Sequence, residues 1–117
     1  MSEHRNEKVA SLLMRYAAEF VEKTSNKNSI ITITDIAISD DLKTAKILFT
    51  VLPENYEEGA LDFLKRQRSD FRDFVKKNWR ARILPFFDFE IDKGEKNRQR
   101  IDELLNQARL QDEQVKQ

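Results

Sequence analysis

The chain has 117 residues, of which 39% are hydrophobic and 36% charged, a composition typical of one polar-rich globular domain. Its 21 Lys and Arg balance its 21 Asp and Glu, so a uniformly basic coat protein is excluded. It has no cysteine, no apolar N-terminal stretch and no long apolar run, which excludes disulfides and thiolate metal sites and predicts a cytoplasmic protein without a secretory signal or membrane span.

The first half of the chain predicts a helix followed by two strands. Apolar residues recur at helical spacing over about residues 3–24, which predicts an amphipathic helix with one buried stripe. Residues 30–38 are rich in β-branched side chains and predict a strand. Residues 43–52 predict a second strand, antiparallel to the first across a turn at 39–42, with one face formed by Ala45, Ile47, Phe49 and Val51.

The next segment predicts two helices joined by a tight kink. Residues 55–82 carry two helical stripes, and the pattern breaks at Gln67-Arg68-Ser69. Ser69 followed by Asp70 is typical of a fresh N-cap, so Ser69 is predicted to open the second helix. Pro85 forbids continuation of that helix, because its ring and its missing N–H break the hydrogen-bond ladder.

A third strand and a last helix are predicted after this proline. Residues 87–91 alternate apolar and acidic side chains, as in a strand with one buried face. A helix from about residue 96 is expected to turn four apolar side chains inward: Ile101, Leu104, Leu105 and Ala108. Beyond Arg109 the chain is polar and is expected to fray, so residues 1–109 are predicted to form the domain and residues 110–117 a tail.

Together these elements predict a single α+β domain. One three-stranded sheet with helices on one face is the economical way to bury the apolar stripes. The return from the second strand to the third through two helices is a crossover, which makes the sheet mixed. The order of helix, strand, strand, helix, kink, helix and strand is that of the type II KH arrangement of RNA-binding domains, here followed by a C-terminal helix.

Positive charge is concentrated between Lys65 and Arg82, a segment that holds eight Lys or Arg against two Asp. Because the whole chain is neutral, the remainder is net acidic, and such a distribution favours a surface that faces a polyanion locally. A solvated helix face has the same composition, so charge alone leaves both interpretations open.

The candidate RNA-binding residues follow from this segment. Placed on a helix at 100° per residue, Arg72, Lys76 and Arg80 form a row of cations about 6 Å apart, which suits successive phosphates of an RNA backbone. Trp79 borders the row, either as a boundary core residue or as a platform for a base. The predicted set is Lys43, Lys46, Arg68, Arg72, Lys76, Lys77, Trp79, Arg80 and Arg82.

Two segments of the chain resemble the ribosome-binding factor A family of bacteria. The hairpin segment Ile38-Ser39-Asp40-Asp41-Leu42 and the following Ala45 are similar to the family's first signature. The second signature is an Arg-rich helix end, a proline and an alternating strand closed by Asp, matched by Arg72, Arg80, Arg82, Ile83, Pro85, Phe87, Phe89 and Asp92. The resemblance extends from about Arg5 to Leu105. One departure is that Gln67-Arg68-Ser69 stands where the family has an Ala-x-Gly kink.

The resemblance implies a small-subunit assembly factor of the ribosome. Such a factor binds the immature small (30S) subunit through 16S rRNA, assists maturation of the rRNA 5′ end and matters most in the cold. A monomer without cofactor, small-molecule substrate or membrane attachment is expected. The side chains at this kink are larger than those of the family pattern and are expected to limit how closely the backbone approaches a phosphate. Arg68 is a candidate to replace the contact between backbone and phosphate.

Two other classes of function compete with this interpretation. The basic face would also suit a protein-interaction module that binds an acidic partner. A small hydrolase or nuclease is disfavoured, because the chain lacks cysteine and a Gly-rich phosphate loop and has His4 as its one histidine. The acidic pair Asp40 and Asp41 is interpreted as turn chemistry, and Asp92 as a cap or turn residue for the segment that follows it.

Overall fold

A computed structural model describes residues 2–25 and 27–115, with side chains described for 7–25 and 27–111. His4, for which a solvent role is expected, lies outside the described side chains. A short 3₁₀ turn at Glu54–Tyr56 follows the second strand. The other elements are α1 Ser2–Thr24, β1 Ile30–Ile38, β2 Thr44–Leu52, α2 Glu57–Arg66, α3 Arg68–Lys76, β3 Phe86–Ile91 and α4 Lys93–Val115.

The sheet has the predicted mixed topology. Its strand order is β1-β2-β3, with β1 antiparallel and β3 parallel to β2. The parallel pair starts with Thr44 opposite Phe86, so β2 and β3 begin at the same end of the sheet. Helices α1, α2 and α3 pack on this sheet, and the α+β class with its KH type II-like order is confirmed.

The core lies between one face of the sheet and these three helices. The predicted face of β2 is confirmed, since its four apolar residues Ala45, Ile47, Phe49 and Val51 are all buried. Phe71 of α3 lies at the centre of an aromatic cluster, with ring centroids 4.8 Å from Phe87, 5.6 Å from Phe89 and 5.3 Å from Phe20. Rings that meet edge to face contribute beyond the area they bury, so this cluster holds α1, α3 and β3 together.

The kink between α2 and α3 is a single residue, Gln67. Its backbone N–H donates to the carbonyl oxygens of Phe63 and Leu64 at 3.1 and 3.0 Å, and its own carbonyl accepts the Phe71 N–H at 2.8 Å. The prediction that Ser69 caps the second helix is wrong, because α3 begins at Arg68 and Ser69 is already inside it. With one residue between the helices, backbone groups of Gln67 replace a side-chain cap.

Helix α3 ends at Lys76, so the prediction of a helix that continues to about residue 82 is also wrong. Its end is closed by two hydrogen bonds of the 3₁₀ type, from residue i to residue i−3. They run from Asn78 N–H to Val75 O at 3.0 Å and from Trp79 N–H to Lys76 O at 3.3 Å. The chain must reverse here to bring β3 alongside the start of β2, and residues 77–85 form the connecting loop. Arg80 and Arg82 therefore lie on a loop.

Helix α4 starts with the cap that the sequence predicts. The Asp92 carboxylate accepts the Glu95 N–H at 2.9 Å and the Thr34 hydroxyl, which fixes the helix start against β1. The hydrogen bond from the Glu95 amide has the larger effect, and together with that from Thr34 it holds the pKa of Asp92 below its usual value. Lys96 then pairs with Glu54 at 2.7 Å and with Glu57 at 3.1 Å.

Beyond its first two turns, α4 projects away from the core. Its apolar residues are exposed, at 56% for Ile101, 59% for Leu104 and 65% for Leu105, so the prediction that they and Ala108 point inward is wrong. The helix also continues past Arg109 to Val115, and residues 116–117 lie outside the described part. The boundary between domain and tail at 109 stays a prediction. None of the described helices is long and apolar enough to cross a membrane.

Phe89→Ala should lower the free energy of unfolding by about 3–5 kcal/mol, because it opens a cavity beside Phe49 and Phe71. Leu104→Ala on α4 is the matched control, and we expect a change within about 0.5 kcal/mol at this exposed position. Urea denaturation of both variants measures the difference. Equal losses for the two would contradict the described core.

Candidate nucleic-acid interface

One cluster of charged side chains lines the outer edge of β3. Asp88 alternates with the buried Phe87 and Phe89 and so lies on the face of the sheet away from the helices. Its Oδ1 accepts hydrogen bonds from Lys65 Nζ at 3.0 Å and from Arg68 Nη1 at 3.3 Å. These two cations flank the Gln67 kink, so the kink is tied to the edge strand. We call Lys65, Arg68, Arg72, Phe86 and Asp88 the β3-edge cluster.

Asp88 is held ionised within this cluster. Burial raises the pKa of its carboxyl, but the hydrogen bonds from Lys65 and from the Phe89 amide outweigh burial and hold the pKa below its usual value. Nearby positive charge on Arg68 acts in the same direction. The carboxylate therefore neutralises part of the positive charge that the sequence places at the kink.

Sequence reasoning missed Lys65 as a member of the candidate surface. A usable signal was present, because Lys65 stands three residues before Arg68, a spacing at which helical side chains are neighbours. Arg68 itself donates from Nε to the Lys65 carbonyl at 2.9 Å, so it leans back across the kink toward β3. Its side chain remains 50% exposed despite the pairing with Asp88.

Arg72 connects α3 to the start of β3. Its Nη2 donates to the Leu84 carbonyl oxygen at 3.4 Å, and its guanidinium carbon lies 4.9 Å from the centroid of the Phe86 ring. Its Nε is buried without a hydrogen-bond partner among the described residues. Part of this predicted RNA-binding side chain is therefore committed to a contact within the protein.

The two predicted lysines of β2 and its preceding turn both lie next to β3. The Lys43 carbonyl accepts the Phe86 N–H at 2.8 Å, which places this exposed lysine beside the start of β3. Lys46 stands opposite Asp88 in the strand register and pairs with Glu90 at 3.2 Å. Lys46 is thus partly neutralised, and no ion pair within the described residues engages Lys43.

Four further predicted cations lie at the end of α3 and on the loop that follows. Lys76, Lys77, Arg80 and Arg82 are all exposed, and within the described part of the chain none of them pairs with a carboxylate. We call residues 76–82 the basic loop. It continues the β3-edge cluster, since Lys76 stands four residues after Arg72 on α3. The predicted helical row is correct for Arg72 and Lys76 and wrong for Arg80.

Trp79 holds the basic loop in shape. It is partly buried against the core, and its indole Nε1–H donates to the Ile83 carbonyl oxygen at 2.8 Å. This bond closes the loop that carries Arg80 and Arg82. Of the two interpretations of Trp79, the structure shows the boundary core residue, and its contact with a base stays a prediction.

The described residues contain no group of three or more His, Cys, Asp or Glu that could hold a metal ion. The acidic turn of the hairpin is structural, as predicted. Asp41 accepts the Ser39 hydroxyl at 2.7 Å and the Lys43 N–H at 3.1 Å, and these bonds lower the pKa of its carboxyl.

The chain is similar to one family of proteins in both sequence and fold. The family model for ribosome-binding factor A matches residues 5–105. A ribosome-binding factor A from Thermodesulfovibrio yellowstonii is 30% identical over 113 residues, which are 95% of this chain and 96% of the relative.

Two solved structures share the fold. The crystal structure of ribosome-binding factor A from Thermus thermophilus has a TM-score of 0.65 at 23% identity, over 73% of this chain and 92% of that chain. A homology model of the Thermus thermophilus factor, fitted into the cryo-EM map of a 30S–RbfA complex, has a TM-score of 0.60 at 24% identity, over 69% of this chain and 88% of that chain.

Asp88→Asn should lower the free energy of unfolding at pH 7 by up to about 1 kcal/mol, because its half-buried pairs with Lys65 and Arg68 lose the carboxylate charge. The folded-state pKa of Asp88 lies below the usual 3.8, so its contribution is present above that pH and is lost as the pH falls through the folded value. The difference in free energy of unfolding between the parent protein and the variant should therefore shrink as the pH is lowered. Denaturant titrations from pH 7 to pH 2 measure it.

Asp62→Asn is the matched control, because Asp62 is an exposed carboxylate on α2 without an ion pair among the described residues. We expect its free energy of unfolding to stay close to that of the parent protein over the whole pH range. A difference in free energy of unfolding between the parent protein and Asp88→Asn that grows as the pH falls would contradict the described pairing.

Proposed function

The chain belongs to the ribosome-binding factor A family, and we propose that it binds the immature small ribosomal subunit through 16S rRNA in the cytoplasm and assists late maturation, including processing of the rRNA 5′ end. The family assignment makes the protein a ribosome-binding factor that takes part in ribosome biogenesis. The small subunit as partner is supported by the fold shared with the Thermus factor, which is described in a 30S complex.

The observation that carries the proposal is the basic loop. A neutral chain exposes four cations within seven residues there, and within the described part of the chain no carboxylate neutralises them. Exposed lysines and arginines at one site gain affinity for nucleic acid by releasing the counterions condensed on phosphates. The loop is held in place by the Trp79–Ile83 hydrogen bond, so little order has to be gained on binding.

The β3-edge cluster would extend this surface toward the kink. Its ion pairs remain accessible to solvent, with side chains 37% to 50% exposed, and such pairs contribute about 0–1 kcal/mol each. A phosphate could therefore replace Asp88 as the partner of Lys65 or Arg68 at small cost. Backbone phosphate contacts of this kind position a protein on RNA without reading its sequence. The proposed role is binding, and the proposal includes no catalytic step.

The double variant Lys76→Glu with Arg80→Glu should bind small subunits much more weakly, because two phosphate contacts become repulsive. If both cations contact phosphates, the slope of log affinity against log salt should become shallower by about 1.4 to 1.8, from roughly 0.7 to 0.9 for each contact. Co-sedimentation with purified immature small subunits over a series of salt concentrations measures both quantities.

The control is Lys8→Glu with Lys93→Glu, which makes the same charge change at exposed positions on α1 and at the start of α4. Melting temperatures of both variants report that the fold is intact. In cells grown in the cold, only the Lys76/Arg80 variant should accumulate 16S rRNA with an unprocessed 5′ end, measured by primer extension. Affinity and salt slope equal to the parent's would overturn the rRNA contact and favour a surface for an acidic protein.

A further inference from the structure

Phe86 is the most exposed large apolar side chain of the chain's described part, at 68%. Single exposed apolar residues are common on protein surfaces, so exposure alone has no functional meaning. Phe86 differs because a cation stands over its ring, with the guanidinium carbon of Arg72 4.9 Å from the ring centroid. No other aromatic ring of the described residues contacts it, and most of its surface is accessible to solvent.

The backbone that carries this ring is held in place by β-sheet pairing. The Phe86 N–H donates to the Lys43 carbonyl oxygen at 2.8 Å, and its backbone stands in register with Thr44. Arg72 is fixed as well, since its Nη2 donates to Leu84 and its Nε is buried. The Arg72 guanidinium therefore contacts both the Leu84 carbonyl and the Phe86 ring.

We propose that Phe86, backed by Arg72, is a stacking site for one unpaired base of single-stranded RNA. This inference rests on the proposed function and specifies the RNA that the surface takes. A base has a flat π face that stacks on an exposed aromatic ring, and the cation behind the ring strengthens such an assembly. In a duplex both faces of a base are covered by its neighbours, so only an unpaired or splayed base fits.

The surroundings of the ring favour a nucleotide over an apolar peptide. Lys43 is exposed and bonds to Phe86 through its backbone carbonyl, and the basic loop begins one helical turn beyond Arg72. The acidic residue next along this face, Asp88, is already paired with Lys65 and Arg68. A nucleotide provides both a base for the ring and a phosphate for these cations. An apolar partner would desolvate the cations and offer no hydrogen bond or opposite charge in return.

The test uses a single-stranded oligonucleotide of about ten nucleotides carrying 2-aminopurine, and a duplex with the same number of phosphates. Phe86→Leu keeps an apolar side chain and removes the π face, and Phe86→Trp keeps the π face. We expect Phe86→Leu to weaken binding of the single strand by about fivefold to a hundredfold, the range of one base–aromatic stack. Its salt slope, its melting temperature and its affinity for the duplex should match the parent's.

The 2-aminopurine fluorescence should be quenched by the parent and by Phe86→Trp, and not by Phe86→Leu. Ile30→Ala is the control, since Ile30 is equally exposed, at 67%, but lies on β1 at the far edge of the sheet. Its single-strand affinity should equal the parent's. Equal weakening of single strand and duplex by Phe86→Leu, or quenching that survives it, would overturn the stacking site.

The two proposals fail in different ways. A parent protein that binds small subunits with a steep salt slope, but whose single-strand affinity is unchanged by Phe86→Leu, overturns the stacking site and leaves the proposed function standing. A parent that does not bind small subunits overturns both.

Discussion

The parallel pairing of β3 with β2 is the constraint on which the candidate surface depends. Because the two strands run in the same direction, the chain must leave the far end of β2 and return to its near end through α2 and α3. The return ends in the loop of residues 77–85, which carries most of the basic loop and leads into the start of β3. The same pairing buries Phe87 and Phe89 against Phe71 and leaves Phe86 and Asp88 on the outer side.

The single-residue kink at Gln67 determines how the cations lie along this return. With one residue between the helices, Lys65 and Arg68 stay near neighbours and both reach Asp88. Larger side chains than the family's Ala-x-Gly pattern are accommodated, because the backbone of Gln67 makes the helix-to-helix hydrogen bonds and its side chain makes no cap. In this chain the kink presents the half-exposed side chain of Arg68 to solvent, where the family pattern has small residues.

Most of the fold could be predicted from the sequence, because its elements have strong periodicity. The strand Ile30–Ile38 follows from its β-branched residues, the buried face of β2 follows from alternation, and the mixed sheet follows from the order of elements. The end of α3 could not be predicted, since tertiary pairing of β3 overrides a local pattern that continues to Trp79. The stripe on α4 has the periodicity of a core helix, yet Leu104 is exposed because α1, α2 and α3 already close the core. Pairings such as Lys65 with Asp88 join positions 23 residues apart and leave no local signal.

The most direct test of the account is to crosslink the protein to immature small subunits and map the joined positions on both molecules. The surface described here predicts crosslinks from Lys76, Lys77 and Lys43 to 16S rRNA, with few from Lys8 on α1 or Lys93 on α4. Crosslinks that come mainly from α1 and α4, or that join the basic loop to ribosomal proteins and not to rRNA, would contradict it.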